Sequence, residues 1–174
     1  MSEIEATTGT RHQRTFQDVY PSLFRYCFRL TGDADAAEDA AQEAFVRLFE
    51  RKPTEESRSV RVWLFRVATN VIRDRARVQS GRRDLLERHG ESGRTAPSPE
   101  GQFERRETRA LVRRVLDRIP ERDRRILLMR EEGFRYREIA ETVGVKSTSV
   151  GTLLARAERR FVRAHAVETG RKDR

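Results

Sequence analysis

Most of the residue types from which active sites are built are scarce in this chain. Its 174 residues include one cysteine, three histidines, one tryptophan and five prolines. A single thiol excludes an internal disulfide and a thiolate zinc site, so Cys27, set in an apolar run, reads as a core residue. His12, His89 and His165 fall near a ragged end, in a polar stretch and in the last helix, with no spacing that suits a metal or a triad. No glycine-rich phosphate loop is present. Asp39 and Glu43 share a helix face, but carboxylates at i and i+4 on an acidic helix are far more often surface than an acid–base pair. The expectation is no catalytic residue, no metal and no cofactor, hence not an enzyme. Long apolar runs are absent as well, and residues 1–14 lack the apolar centre of a secretory signal. A cytoplasmic protein with no membrane insertion is expected.

Lysine is the next shortage: apart from Lys52, Lys146 and Lys172, all of the 37 Lys plus Arg are arginine. The 28 Asp plus Glu leave a net charge of +9, which fits nucleic acid or an acidic surface. With 36% hydrophobic against 37% charged residues, the chain is too polar for one large core, and small helical units are the better solution. Charge is unevenly placed. Residues 33–56 carry eight acids against Arg47, Arg51 and Lys52, while residues 58–77 carry six arginines against Asp74. Adjacent segments of opposite sign suggest different partners.

The apolar period is helical almost throughout, and it predicts helices at 16–30 (disturbed at Pro21), 35–51, 60–78, 104–119, 121–131, 135–143 and 148–166. Asp35 with Glu38 resembles a capping box, Ser59 is placed to cap the third helix, Pro120 separates the fourth from the fifth, and Gly133 stands where the fifth should stop. Between 79 and 101 the pattern dissolves into glycine, proline and serine, which reads as a flexible linker. The predicted organisation is a disordered N-terminus at 1–14, a three-helix domain at 15–78, the linker at 79–101, a four-helix domain at 102–167 and a disordered tail at 168–174.

Three faces stand out. On the second helix Ala37, Ala40, Ala41, Ala44, Phe45 and Leu48 make an inner side, while Asp39, Gln42, Glu43 and Val46 gather on the other with Phe49 at its edge. Spacing alone leaves two readings, a docking surface for a basic protein patch or ordinary surface acids. On the third helix Val60, Trp63, Leu64, Val67 and Val71 form the expected buried arc, and Arg66, Asn70, Arg73 and Arg77 form a ridge suited to a phosphate backbone. Trp63 or Phe65 could supply stacking for a single strand, and a solvated arginine face is the other reading. At the C-terminal end, Gly144 lies where a helix-turn-helix needs its hinge. Ile139, Ala140 and Val143 precede it as one inner face, and Val150, Leu153, Leu154, Ala157 and Phe161 follow as another. Thr148, Thr152, Ala155, Arg156, Arg159 and Arg163 make the outward stripe. Gly151, inside that second helix, points to close backbone approach, of DNA or of another helix.

In this order, the segments 23–33 (LFRYCFRLTGD), 37–49 (AEDAAQEAFVRLF), 62–77 (VWLFRVATNVIRDRAR), 119–129 (IPERDRRILLM) and 136–157 (YREIAETVGVKSTSVGTLLARA) resemble the extracytoplasmic-function group, group IV, of bacterial RNA polymerase sigma factors. The resemblance implies an all-α fold of two small helical domains, sigma domain 2 and a helix-turn-helix sigma domain 4. It implies that Asp39, Gln42, Glu43, Val46 and Phe49 bind the clamp helices of the polymerase largest subunit. Arg66, Asn70, Arg73 and Arg77, with Arg58 and Arg61 before them, would engage the minus-ten element, and the loop at 52–59 would capture a flipped base. Lys146, Ser147, Thr148, Ser149, Thr152, Arg156 and Arg159 would hold minus-thirty-five DNA. An anti-sigma factor is the implied regulator. Where many relatives have a basic or polar triplet, this chain has Gly151, Thr152 and Leu153. A freestanding helix-turn-helix regulator is the alternative; a small nuclease is a third reading, lacking a metal constellation.

Overall fold

The computed structural model describes the backbone of residues 3–50, 59–86 and 103–170, and side chains within 13–50, 59–78 and 107–170. Seven helices account for these residues, and they divide into two compact units, 1–89 and 90–174. The division falls inside the stretch expected to be linker.

The first unit is a three-helix packing of α1 (Glu3–Thr31), α2 (Ala34–Glu50) and α3 (Val60–Leu86), each helix touching the other two. Alanines make the close approach possible: Ala37, Ala40, Ala41 and Ala44 are fully buried on α2, with Phe45 and Leu48 completing the inner side as expected. Leu23, Tyr26 and Cys27 from α1 and Leu64, Phe65 and Ala68 from α3 fill the remaining core. Burial pushes the Cys27 thiol up to about 12, so it is an inert packing group. One neutral polar pair closes this core. Thr69 Oγ1 donates to the Phe65 carbonyl at 2.7 Å, so its single proton is used and the Tyr26 hydroxyl donates to Thr69 Oγ1 at 2.9 Å.

Several boundaries differ from expectation. Residues 1–14 were expected to be disordered, yet α1 is helical from Glu3. Once Phe16–Thr31 is docked, each residue added upstream gains a backbone bond without a new nucleus. Propagation likewise carries α3 past Val78 to Leu86, through residues read as linker, with Gly81 the weakest helix former among Gln79–Leu86 and Arg82, Arg83, Leu85 and Leu86 good ones. Pro21 lies exposed within a continuous α1 and does not divide it. The cap of α2 is Asp33 and not Asp35: its Oδ1 accepts the Ala36 amide at 2.8 Å, after a turn at Gly32 with φ of 75°. Ser59 caps α3 as expected, its Oγ accepting the Val62 amide at 3.4 Å.

The second unit gathers α4 (Phe103–Asp117), α5 (Glu121–Glu131) and α6 (Tyr136–Val143) around α7 (Ser147–Glu168), which packs against all three. Gly133 (φ 82°) ends α5 and Gly144 (φ 72°) joins α6 to α7, the left-handed conformations that favour glycine. The Arg135 amide donates to Glu138 at 2.7 Å and starts α6. Val115, Ile126, Met129, Phe134, Ile139, Val150 and Ala157 are fully buried, with Leu154 close behind. Unlike the first core, this one includes charge. Asp123 is fully buried, its Oδ2 accepting from Arg160 Nη1. At the C-terminal end of α7, Glu168 accepts from Arg114 at 2.9 Å and from Arg118, tying α7 to α4 and the turn after it.

Candidate polymerase and promoter faces

On α2 the inner alanines fix which side turns outward. Asp39, Gln42, Val46 and Phe49 are exposed and Glu43 is half-buried, so the five residues predicted as a docking set do share one face. Val46 and Phe49 are 47% and 44% exposed, an apolar pair among carboxylates. Local ties organise the charges: Arg47 Nε donates to Glu43 at 2.8 Å, Gln42 to Glu38 at 2.9 Å, and Arg75 of α3 to Asp39 at 2.9 Å. Solvated pairs of this kind contribute about 0.2–1 kcal/mol, so a partner's cations can displace them at little cost.

On α3 the arc is rotated from the one predicted. Val62, Leu64, Phe65, Ala68, Thr69 and Val71 are buried, whereas Val60, Trp63 and Val67 are only half-buried. The physical reason is that α3 has two neighbours, α1 and α2, so its buried sector is wide and centred between them. Phe65 therefore cannot stack on a base. Trp63 and Val67 instead share the outward side with Arg66 and Asn70. Together with Arg47 and Glu50 of α2 these four line a cleft of about 460 Å³. Arg66 is half-buried, and Asn70, Arg73 and Arg77 are exposed. Arg61 is half-buried, its guanidinium 5.6 Å from the centre of the Phe65 ring. Arg58, and the loop residues 52–58, lie outside the described residues. Arg47 and Glu50 were missed as cleft residues because the third helix was read alone; their place near the end of α2 was the available signal.

On α7 the outward stripe is nearly as read. Thr148, Thr152, Ala155, Arg159 and Arg163 are exposed, as are Lys146 and Ser147, while Ser149 is half-buried. Arg156 differs. Its guanidinium leans toward α5, with Nη2 3.6 Å from Asp123 Oδ1. Gly151 faces Tyr136 of α6, and a Cβ there would lie 3.6 Å from that ring, an ordinary contact distance. The glycine is therefore not forced by helix packing. The Arg130 guanidinium lies over the Tyr136 ring, 5.7 Å from its centroid, and donates to the Phe134 carbonyl at 3.2 Å. Among the described residues no cluster of His, Cys, Asp and Glu could hold a metal, and no helix is long and apolar enough to cross a membrane.

One unit with an acidic apolar face beside an arginine ridge and one with a hinged helix-turn-helix make up, among the described residues, an all-helical protein suited to binding DNA and a protein partner. Comparison with known proteins agrees. The sigma-70 region 2 family matches residues 15–82 and the sigma-70 region 4 family residues 109–161. The ECF RNA polymerase sigma factor EcfG of Rhodopseudomonas palustris is 30% identical, over 80% of this chain and 75% of that protein. The ferric citrate uptake sigma factor FecI of Escherichia coli is 30% identical over 90% of this chain and 92% of its own length. The ECF sigma factor SigE of Mycolicibacterium smegmatis is 29% identical over 84% of this chain, which spans 60% of that longer protein. In fold, the chain is similar to the sigma factor RpoE of Bartonella quintana, solved in complex with the anti-sigma factor NepR, with a TM-score of 0.71, 19% identity and coverage of 87% of this chain and 94% of that one. The chain belongs to the extracytoplasmic-function sigma factors, and so is a transcription initiation factor that directs RNA polymerase to promoters. A freestanding operator-binding regulator is not favoured: such a reading leaves the region 2 match unexplained.

Proposed function

We propose that the outward face of α2 grips the clamp helices of the polymerase largest subunit, that α3 and its cleft hold the minus-ten element, and that α7 holds minus-thirty-five duplex, all in the cytoplasm. The observation that carries the first assignment is Val46 and Phe49 standing exposed among Asp39, Glu43 and Gln42, directly behind a fully buried alanine side. A solvated surface gains nothing from two large apolar groups, whereas an interface centre does. Carboxylates around them would steer a basic helix into place. For the minus-ten element, Arg66, Arg73 and Arg77 provide phosphate contacts. The cleft supplies a stacking surface, Trp63, with Asn70 and Glu50 as hydrogen-bonding groups, the combination an unstacked base requires. On α7, Lys146, Ser147, Thr148 and Ser149 surround the helix start, where amides and cations favour phosphate. A regulator of the anti-sigma type, such as binds the Bartonella protein, would act by covering one of these faces.

Replacing Glu43 by Gln and Phe49 by Ala together is expected to weaken capture of core polymerase by about tenfold to a hundredfold, the range for losing an interface anchor. Trp63 fluorescence melting should be unchanged. Undiminished co-purification with core enzyme would reject the docking face. Arg66→Ala with Asn70→Ala is expected to lower the yield of open complex, read by permanganate reactivity of the melted strand, while polymerase binding holds. A normal open-complex yield would remove α3 from that role.

A further inference from the structure

A carboxylate withdrawn from water needs partners, and Asp123, in the first turn of α5, is wholly withdrawn. Two arginines one turn apart on α7 face it, and they face it unequally. Arg160 Nη1 donates to Oδ2, a closed hydrogen bond. Arg156 Nη2 stops 3.6 Å from Oδ1, beyond hydrogen-bond reach. Asp123 Oδ1, Arg156 Nε and Arg156 Nη2 are each shielded from solvent and without a hydrogen-bond partner. The Arg156 side chain as a whole is still 38% exposed, and Thr152 and Arg159, four residues before it and three after it on α7, are exposed members of the outward stripe. The guanidinium thus sits on the border between the α5–α7 seam and the face assigned to DNA, in ion-pair contact with Asp123 but without a hydrogen bond to it.

We propose that Asp123 is a positioning residue for promoter binding: it keeps Arg160 as a fixed tie between α5 and α7 and Arg156 as an exchangeable one, released to a phosphate when α7 meets duplex. The inference rests on the reading of α7 as the minus-thirty-five face. Two arginines are needed because Arg160 continues to neutralise the buried carboxylate while Arg156 is away, so the exchange never strands a bare charge. A phosphate can accept two parallel hydrogen bonds from the guanidinium fork, which Asp123 Oδ1 at 3.6 Å does not. Asp123 is therefore a brake on DNA affinity as well as a clasp, and the brake acts only through Arg156.

The test uses holoenzyme on a promoter duplex recovered from its own run-off products, with affinity measured across a salt series. Arg156→Ala is expected to reduce the slope of log affinity against log salt by about 0.9, one phosphate contact. Asp123→Asn is expected to tighten binding on the order of fivefold when Arg156 is present and to have no effect in the Arg156→Ala background. An unchanged slope in Arg156→Ala, or an equal effect of Asp123→Asn in both backgrounds, overturns the proposal. Should Asp123→Asn fail to fold, Arg156→Lys decides with Arg156→Ala: the charge is kept and the fork lost, so the slope should persist with weaker binding, and full affinity would overturn the exchange. Arg159→Ala separates the two levels. If it and Arg156→Ala both leave the slope unchanged, the assignment of α7 to duplex is wrong; if only Arg156→Ala does, the assignment stands and this inference falls.

Discussion

The two units solve the same problem, a small helical core, with opposite materials. The first is filled with alanine and aromatic side chains, and the buried polar pair among its described residues, Tyr26 with Thr69, is neutral. The second buries a carboxylate and ties its longest helix down with charged pairs at two places: Asp123 of α5 with Arg160 of α7, and Glu168 at the C-terminal end of α7 with Arg114 and Arg118. The consequence concerns how function and stability are divided. In the first unit the faces proposed for binding are built mainly of exposed side chains, among them Val46, Asn70, Arg73 and Arg77, so those positions can be altered with little effect on the core. In the second, α7, the helix proposed to hold DNA, turns Arg160 and Arg156 toward the buried Asp123, and a change on one side is felt on the other.

The largest expected break in this comparison is Asp123→Ala. Removing the acid leaves Arg160 and Arg156 unpaired against α5, and we expect a loss of about 3 kcal/mol, the low end for breaking a buried ion pair because both arginine side chains still reach solvent. Hydrogen exchange over 109–161 is the measurement; protection equal to the native chain would show that the charge is not structural. The matching change in the first unit, Tyr26→Phe, deletes one hydrogen bond while Thr69 keeps its bond to Phe65, so about 1 kcal/mol is expected in a denaturant melt followed by Trp63 fluorescence. A loss as large as that of Asp123→Ala would erase the contrast.

Smaller effects sharpen it. Gly151→Ala should stabilise α7 by roughly 0.5–1 kcal/mol, since the added Cβ meets Tyr136 at an ordinary 3.6 Å and helix propensity improves. If the variant is more stable but binds promoter duplex less tightly, the glycine serves the approach of DNA; if it is less stable, the packing account of that position is wrong. Finally, hydrogen bonds from Arg118 and Arg114 hold the Glu168 carboxyl below its ordinary range. A depressed folded value means the stabilisation is fully present above about pH 4.3, the ordinary glutamate value, and is lost as pH falls through the lower folded value. Protection at the end of α7 should therefore drop below about pH 4 in the native chain, and the drop should be reduced in Glu168→Gln.

Much of this was legible from the residues. The inner side of α2, the hinge at Gly144, the stop at Gly133 and the exposed stripe of α7 apart from Arg156 follow from helical period and glycine placement, and are where that logic puts them. What escaped depends on neighbours. The buried arc of α3 was read from its own apolar residues, which favoured Trp63 and Val67, but packing between α1 and α2 shifts the buried centre to Phe65 and Ala68. Nothing local distinguishes Asp123 from the other charges of its ERDRR segment, because its burial is decided by α7, more than thirty positions away. Arg156 looked outward by angle alone and is drawn partly inward by that same carboxylate. Helix ends also ran past their predicted limits, since propagation from a docked segment is easier than starting a new one.

The central claim is that one chain carries a surface for the polymerase and two for promoter DNA. Run-off transcription on a library of genomic DNA fragments, with purified core polymerase and this protein, measures it most directly. The account predicts transcripts that start at a discrete set of sites, depend on the added chain and disappear when Glu43 and Phe49 are replaced. Transcription indistinguishable from core enzyme alone would contradict it.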